Sequence, residues 1–260
     1  MVKHTIFEFY AELDDFSPKI RRRFQVRNDI TLARLGYIVQ VLFEMTASHL
    51  MSIEVPIYDN LEREQGGNPR WNPDESVAFL DKCYRVKGEK VIQRYNFMND
   101  DFESLSPPHI QEEDIVKHKV KHVIRSVGDI ASVNYDFGDG WQVTLRLEKV
   151  FDNFELPGDA FPRVLEGAGF GIVEDVGGTP GLEELVQAFK KKSGEAFEEY
   201  KDWLGVEDFD ITAFDIDDMN FRIKQIPRIY KQSYEDHLSP TQRSIDLIER
   251  KYLRKALRNG

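Results

Sequence analysis

The chain predicts an α+β fold, an antiparallel sheet with helices packed in its last third. Three observations carry this. Residues 130–151, IASVNYDFGDGWQVTLRLEKVF, alternate apolar and polar around a Phe137-Gly138-Asp139-Gly140 centre, which is the signature of a β-hairpin with one dry and one wet face. A ββαβ pattern precedes it. Beyond position 180 the apolar spacing lengthens from two residues to three or four, the period of helices.

In the hairpin, Ala131, Val133, Tyr135 and Phe137 share a parity that Trp141, Val143, Leu145 and Leu147 continue after the turn. These eight form the expected buried face. Ser132, Asn134 and Asp136, with Gln142, Thr144, Arg146 and Glu148, point the other way, and an Asp-Gly pair supplies the positive φ of a tight turn.

Before the hairpin, residues 5–13 read as a strand, 14–18 as a turn and 19–27 as the return strand. Thr31 is placed to cap a helix to about position 45, with Leu32, Leu35, Ile38, Val39, Leu42 and Phe43 at helical spacing. A strand over 49–55 completes the unit. Residues 56–111, broken by Gly66-Gly67, Pro69, Pro73 and Pro107-Pro108, read as a surface insertion with a helix over 74–84 and a hairpin over 85–96. The first part of 112–126 reads as helical, since Ile115, Val116, Lys119 and Val123 fit no alternation.

After the hairpin, 161–174 is expected to be mainly irregular because of Gly167, Gly169 and Gly171. A helix over 181–192 starts from Thr179 as cap and Pro180. A second follows over 195–204 with Phe197, Tyr200, Trp203 and Leu204 inward, and a third over 215–224. Domain organisation is expected to be one domain over 1–226, then a linker and a basic amphipathic helix within 227–260.

Composition narrows the function classes. At 260 residues the chain can bury roughly 70–75% of its unfolded surface. The net charge of −11 opposes a whole-molecule grip on nucleic acid or anionic lipid, although a local basic patch remains able to bind. A single cysteine, Cys83, excludes an internal disulfide and a cysteine-rich zinc site. The first residues lack the continuous apolar core of a signal peptide, and no run approaches the roughly 18 apolar residues of a membrane span, so a cytoplasmic chain is expected.

Two motifs carry a family resemblance. Tyr135-Asp136-Phe137-Gly138-Asp139-Gly140-Trp141, followed by Pro162 and by Glu174-Asp175-Val176-Gly177-Gly178, resembles the plasmid pRiA4b ORF-3-like family, whose members share a YDFGDxW hairpin and a downstream P-x-ED-x-GG segment. The start of the chain is similar too: Pro18, Ile20, Arg22 and Arg23 fit a P-x-I-x-R-R stretch that the family follows with a helix and an H-L pair. Phe209-Asp210, Phe214-Asp215 and Asn220 match its F-D…F-D…N pattern. The resemblance implies an α+β fold and a link to plasmids and mobile elements, without naming a reaction. Histidine after the tryptophan and cysteines near the second motif, common in relatives, are replaced here by Gln142, Val143, Val164, Val173 and Val176, which weakens a zinc site of that kind.

The candidate site residues fall into three groups. Asp136, Asp139, Glu174 and Asp175 would hold Mg²⁺ or another divalent cation if folding joins the two motifs; otherwise they shape turns through local hydrogen bonds, and no cofactor is required. Gly177, Gly178 and Thr179 open a helix and so offer N–H groups to an anion, though without a phosphate-loop spacing. Arg21, Arg22 and Arg23, with Arg250, Lys251 and Arg254 of the tail, are the densest cations, able to engage a macromolecular partner or to pair with the chain's own carboxylates. His118 and His122 lie four apart, as two metal ligands on one helix would. A binding or interaction protein is the leading expectation, and a divalent-metal-dependent hydrolase the alternative.

Overall fold

The computed structural model describes residues 3–64, 92–98, 106–107 and 109–250. Eight strands form one sheet: β1 (His4–Leu13), β2 (Arg21–Arg27), β3 (Met51–Pro56), β4 (Ile92–Asn96), β5 (Ile110–Asp114), β6 (Ile130–Tyr135), β7 (Trp141–Asn153) and β8 (Arg163–Ala168). Their order is β5-β4-β3-β6-β7-β1-β2-β8, antiparallel except for the β4–β5 pair. The helices described are α1 (Leu32–Leu42), α2 (Ile57–Glu64), α3 (Val120–Val123), α4 (Gly178–Lys191), α5 (Glu195–Leu204), α6 (Ile216–Tyr234) and α7 (Gln242–Ile248). The fold is α+β, and the ββαβ start and the central hairpin are both present.

The dry face of the sheet is built as alternation demands. Phe7, Phe9, Phe24, Val26, Ile53, Val133, Tyr135, Trp141, Val143 and Leu145 are all buried in one core. Helix α1 lies in this core and is buried at every position but Arg34, Gly36 and Gln40 included, so it must be covered on both sides. The stripe Met219, Ile223, Ile226 and Tyr230 of α6 belongs to the same core. Thr31 caps α1 as expected, its Oγ1 accepting from the Arg34 N–H at 3.1 Å.

Several expectations are corrected. Phe137 is 60% exposed. Tyr135 pairs with Trp141, so 136–140 is a five-residue loop, and Asp136 opens it in the left-handed region (φ 49°), which ends the alternation one residue early. The start of 112–126 is strand β5, with only the single turn α3 after it. Residues 163–168 form β8 on the free edge of β2, and Gly167 within it makes room for the Phe214 ring, from which a Cβ there would lie 2.5 Å. Helix α4 starts at Gly178, with Gly177 (φ 90°) as its cap and Thr179 and Pro180 already inside the first turn. Trp203 is 49% exposed, unlike buried Phe197 on the same helix.

Helix α6 continues past 224 and through 226 to Tyr234, since its apolar stripe runs on through Ile226, Pro227 and Tyr230. The residues 56–111 contribute α2, β4 and the first two residues of β5, so the sheet itself is extended by this segment. The helix expected over 74–84, Cys83, and the first part of the 85–96 hairpin lie outside the described residues, as do Lys251 and Arg254. No helix among the described residues is long and apolar enough to cross a membrane.

Candidate functional site: a histidine among three carboxylates

Strand register creates the site. Met51 pairs with Tyr135, so the residues just before β3 face those just after β6; the ladder continues for one more bond, Asp136 N–H to the Leu50 carbonyl at 3.0 Å. His49 and Asp136 are thereby neighbours. The segment after β8 then crosses the same end of the sheet, held by Phe170 N–H to Ile211 O (2.8 Å) and Ile172 N–H to Phe43 O (2.9 Å). It brings Glu174 and Asp175 alongside. Gly178 seats this segment on the hairpin loop, with a Cβ at that position falling 2.4 Å from the Asp139 carbonyl oxygen.

His49 Nε2 stands 3.2 Å from Asp175 Oδ1, 3.6 Å from Asp136 Oδ2 and 3.8 Å from Glu174 Oε2. Donor atoms of His49, Asp136 and Asp175 all lie within 4.8 Å of one another. Four donors around one ion at about 2.1 Å in a tetrahedron sit about 3.4 Å apart. The closest of these separations approach that value, and Glu174, 3.8 Å from His49, lies outside the mutual spacing of the other three. Asp136 is largely buried, whereas Asp175 is 70% exposed at its side chain and opens the cluster to solvent.

Glu174 and Asp136 are held from behind. Glu174 Oε1 accepts from Thr46 N–H (2.6 Å), Thr46 Oγ1 (2.9 Å) and the Tyr135 hydroxyl (2.8 Å), while Oε2 is buried without a protein partner. Asp136 Oδ1 accepts from the Gly138 and Asp139 N–H groups at 3.1 and 3.4 Å, which turns Oδ2 toward His49. Asp136 and Asp175 both occupy the left-handed region, at φ 49° and 58°. Aspartate enters this region more readily than most residues, because its short side chain bonds the nearby backbone. The Tyr135 hydroxyl also accepts from the Ser48 and His49 N–H groups (3.2 and 3.3 Å), and Tyr234 of α6 donates to the His49 carbonyl. Burial, then the charge of Glu174, push the Tyr135 phenol well above its usual range, so it stays a donor.

The other sequence candidates serve the fold. Asp139 turns away from the cluster and accepts from Gly177 N–H at 3.1 Å, so the carboxylate already fills the anion position at the start of α4 and leaves Gly177, Gly178 and Thr179 a structural explanation. Arg22 is fully buried, correcting its assignment to a partner surface. Its guanidinium donates to the carbonyls of Leu42, Arg21, Ala168, Gly169 and Phe170 at 2.6–2.9 Å, between the rings of Phe43 and Phe214, and burial pulls its pKa down to about 10. Arg21 pairs with Glu166, and Arg23 with Glu148 and Glu166. Arg250 bonds both oxygens of Glu44 and one of Asp218. His118 pairs with Glu113 and packs on Tyr95, and it precedes α3 rather than sharing a helix face with exposed His122.

His49 is the clustered residue that spacing rules miss. It is the histidine of the H-L pair in the family pattern, and that pairing is the one signal that marked it. The F-D…F-D…N residues are structural: Asp215 caps α6 and Asn220 bonds the backbone of Val164 in β8.

Comparison with known proteins agrees with this frame. The chain is 35% identical over 216 residues to an uncharacterized protein, y4hQ, of Sinorhizobium fredii, covering 83% of this chain and 89% of that one. It shares its fold with a protein of unknown function from Methanosarcina mazei, MM3350, at a TM-score of 0.61 and 24% identity over 83% of this chain and 97% of the other. The model of the family described as plasmid pRiA4b ORF-3-like protein matches residues 5–218, a span that contains both motifs and all four clustered residues, and the chain belongs to that family.

Proposed function

We propose that the chain binds one divalent cation through His49, Asp136 and Asp175, with Glu174 beside them, and uses it to hydrolyse a substrate that approaches from the solvent-exposed side at Asp175. The observation that carries this is the His49 ring nitrogen standing 3.2–3.8 Å from three carboxylates that approach from two separate loops. One imidazole with several carboxylate oxygens suits Mn²⁺, Fe²⁺ or Zn²⁺ better than Mg²⁺, whose preference is for oxygen alone. An ion there would act as a Lewis acid and lower the pKa of a bound water toward neutrality. The exposed side at Asp175 leaves room for that water.

A separate cleft of about 640 Å³ lies on the polar face of the sheet, lined by Leu50, Ser52, Asn134, Phe137 and Gln142, and none of the four clustered residues lines it. Engagement of a macromolecular partner through Arg21, Arg22, Arg23 and Arg250 has less support, because each already bonds within the fold. The test is hydrolysis of activated esters, amides and phosphodiesters by chelator-stripped chain with and without Mn²⁺ or Zn²⁺. Turnover that requires the ion and falls at least a hundredfold in Asp136→Asn supports the proposal. Ion-independent turnover, or none on any class, counts against hydrolysis.

A further inference from the structure

We infer that a cavity at the far end of the sheet from the histidine–carboxylate cluster binds a small organic acid, its carboxylate on Arg34 and its hydrocarbon part against apolar walls. The cavity measures about 290 Å³ and lies between the end of β2, the start of α1 and the loop that leads from β7 into β8. Arg27 at its edge pairs with Ile6, which pairs in turn with Phe151 near the last residue of β7, whereas the cluster gathers at the opposite end, beside Trp141. The site is therefore independent of the proposed ion.

Arg34 is the residue that the fold leaves unexplained. It is partly buried, yet no carboxylate or carbonyl bonds its guanidinium among the described residues. Burial pulls its pKa below the ordinary arginine value, and no carboxylate offsets that pull. It also stands in the first turn of α1, where no acidic residue balances it and the helix dipole opposes a cation. A charge drawn out of water is costly without a partner, and an arriving anion supplies one. Arg27 adds a second donor. Asp29 accepts from its Nε at 3.0 Å and its Nη2 at 2.6 Å, which leaves Nη1 beside Gly158, where a Cβ would lie 3.2 Å from it. The Arg27–Asp29 pair is neutral, so the lining residues keep the single charge of Arg34, which suits a monoanion. The remaining walls are apolar: Val26, Ile30, Ile38, Phe161 and Pro162. Inorganic phosphate would leave these walls bare, whereas a branched hydrocarbon tail covers them and a carboxylate meets the guanidinium fork in two parallel bonds.

The test is calorimetric titration of the full chain with isovalerate, isovaleramide, inorganic phosphate and a tripeptide ending in valine, whose terminal carboxylate tells a chain end from a free acid. Isovalerate should bind one molecule per chain, at least about tenfold more tightly than the other three. Arg34→Met keeps the stem and removes the charge. It should weaken isovalerate at least about tenfold, and in buffer without the acid it should melt no lower than wild type, because the unpaired charge is gone. Arg34→Lys restores the charge without the fork and should recover part of the affinity. Arg21→Met, whose arginine pairs with Glu166 elsewhere on the sheet, should leave binding unchanged. No binding of isovalerate, equal binding of isovaleramide, preference for phosphate or for the tripeptide, or undiminished binding in Arg34→Met overturns the inference. A lowered melting temperature in Arg34→Met counts against it too, since Arg34 would then serve the fold.

Discussion

The Tyr135 hydroxyl donates to Glu174 Oε1 at 2.8 Å while its oxygen accepts from the backbone of Ser48 and His49, so one phenol joins the loop that carries the histidine to the loop that carries two carboxylates. Tyr135 lies in the central hairpin and Glu174 in the second motif, 39 positions away. The two motifs therefore form one structure. Removing the hydroxyl leaves a buried carboxylate oxygen and two backbone N–H groups short of a partner. Tyr135→Phe should cost about 1–3 kcal/mol in urea unfolding and, because it frees Glu174 and His49 to shift, weaken ion binding about 10–100-fold by calorimetry.

Gly178 and Gly177 separate steric contact from conformational strain. Both have positive φ, but a Cβ on Gly178 meets the Asp139 carbonyl at 2.4 Å, whereas one on Gly177 has open space within 4 Å. Gly177→Ala should lose about 1 kcal/mol, and Gly178→Ala about 2–4 kcal/mol together with ion binding, as its loop is pushed off the hairpin. Thermal unfolding alongside Mn²⁺ titration measures both.

Arg22 and Arg21 are adjacent in sequence and opposite in role. Arg22→Met removes the donor to the carbonyls of Leu42, Arg21, Ala168, Gly169 and Phe170, and should destabilise by about 3–5 kcal/mol. Arg21→Met breaks a surface pair with Glu166 and should change stability by less than about 1 kcal/mol. Chemical denaturation of the two variants makes the comparison.

Asp14 gives a pH signature. Burial pushes its carboxyl up from 3.8 to about 6, opposed by the hydrogen bond from Thr144. The folded chain thus holds this proton more tightly than the unfolded chain does, and stability falls as pH rises from about 4 to about 6. Asp14→Asn keeps an acceptor for Thr144 and removes the charge. It should be more stable than wild type by about 1–3 kcal/mol at pH 7 and no more stable below pH 4, as urea unfolding across that range would record.

Legibility in the sequence followed the periodicity of each segment. The hairpin was readable because eight apolar positions hold one parity, and it failed only at Phe137, where the left-handed Asp136 breaks the pleat. Strand β8 was hidden by glycines that suggest irregular chain, although Gly167 is required by the ring of Phe214 above it. Strand β5 was hidden because its QEED core gives no apolar alternation, being a short edge strand. Of the four carboxylates singled out, three converge; Asp139 does not, since its position in the loop aims it at Gly177. His49 had no partner at a telling spacing, because its neighbours in the site arrive through strand register and a crossing loop.

Titration of chelator-stripped chain with Mn²⁺ and Zn²⁺ in a calorimeter tests the central claim most directly. One ion per chain is expected, with affinity at least tenfold weaker in His49→Ala and Asp136→Asn and within twofold of wild type in Asp139→Asn, whose side chain faces Gly177 instead. No heat of binding, or equal affinity in His49→Ala and wild type, would contradict the claim that these loops were built around an ion.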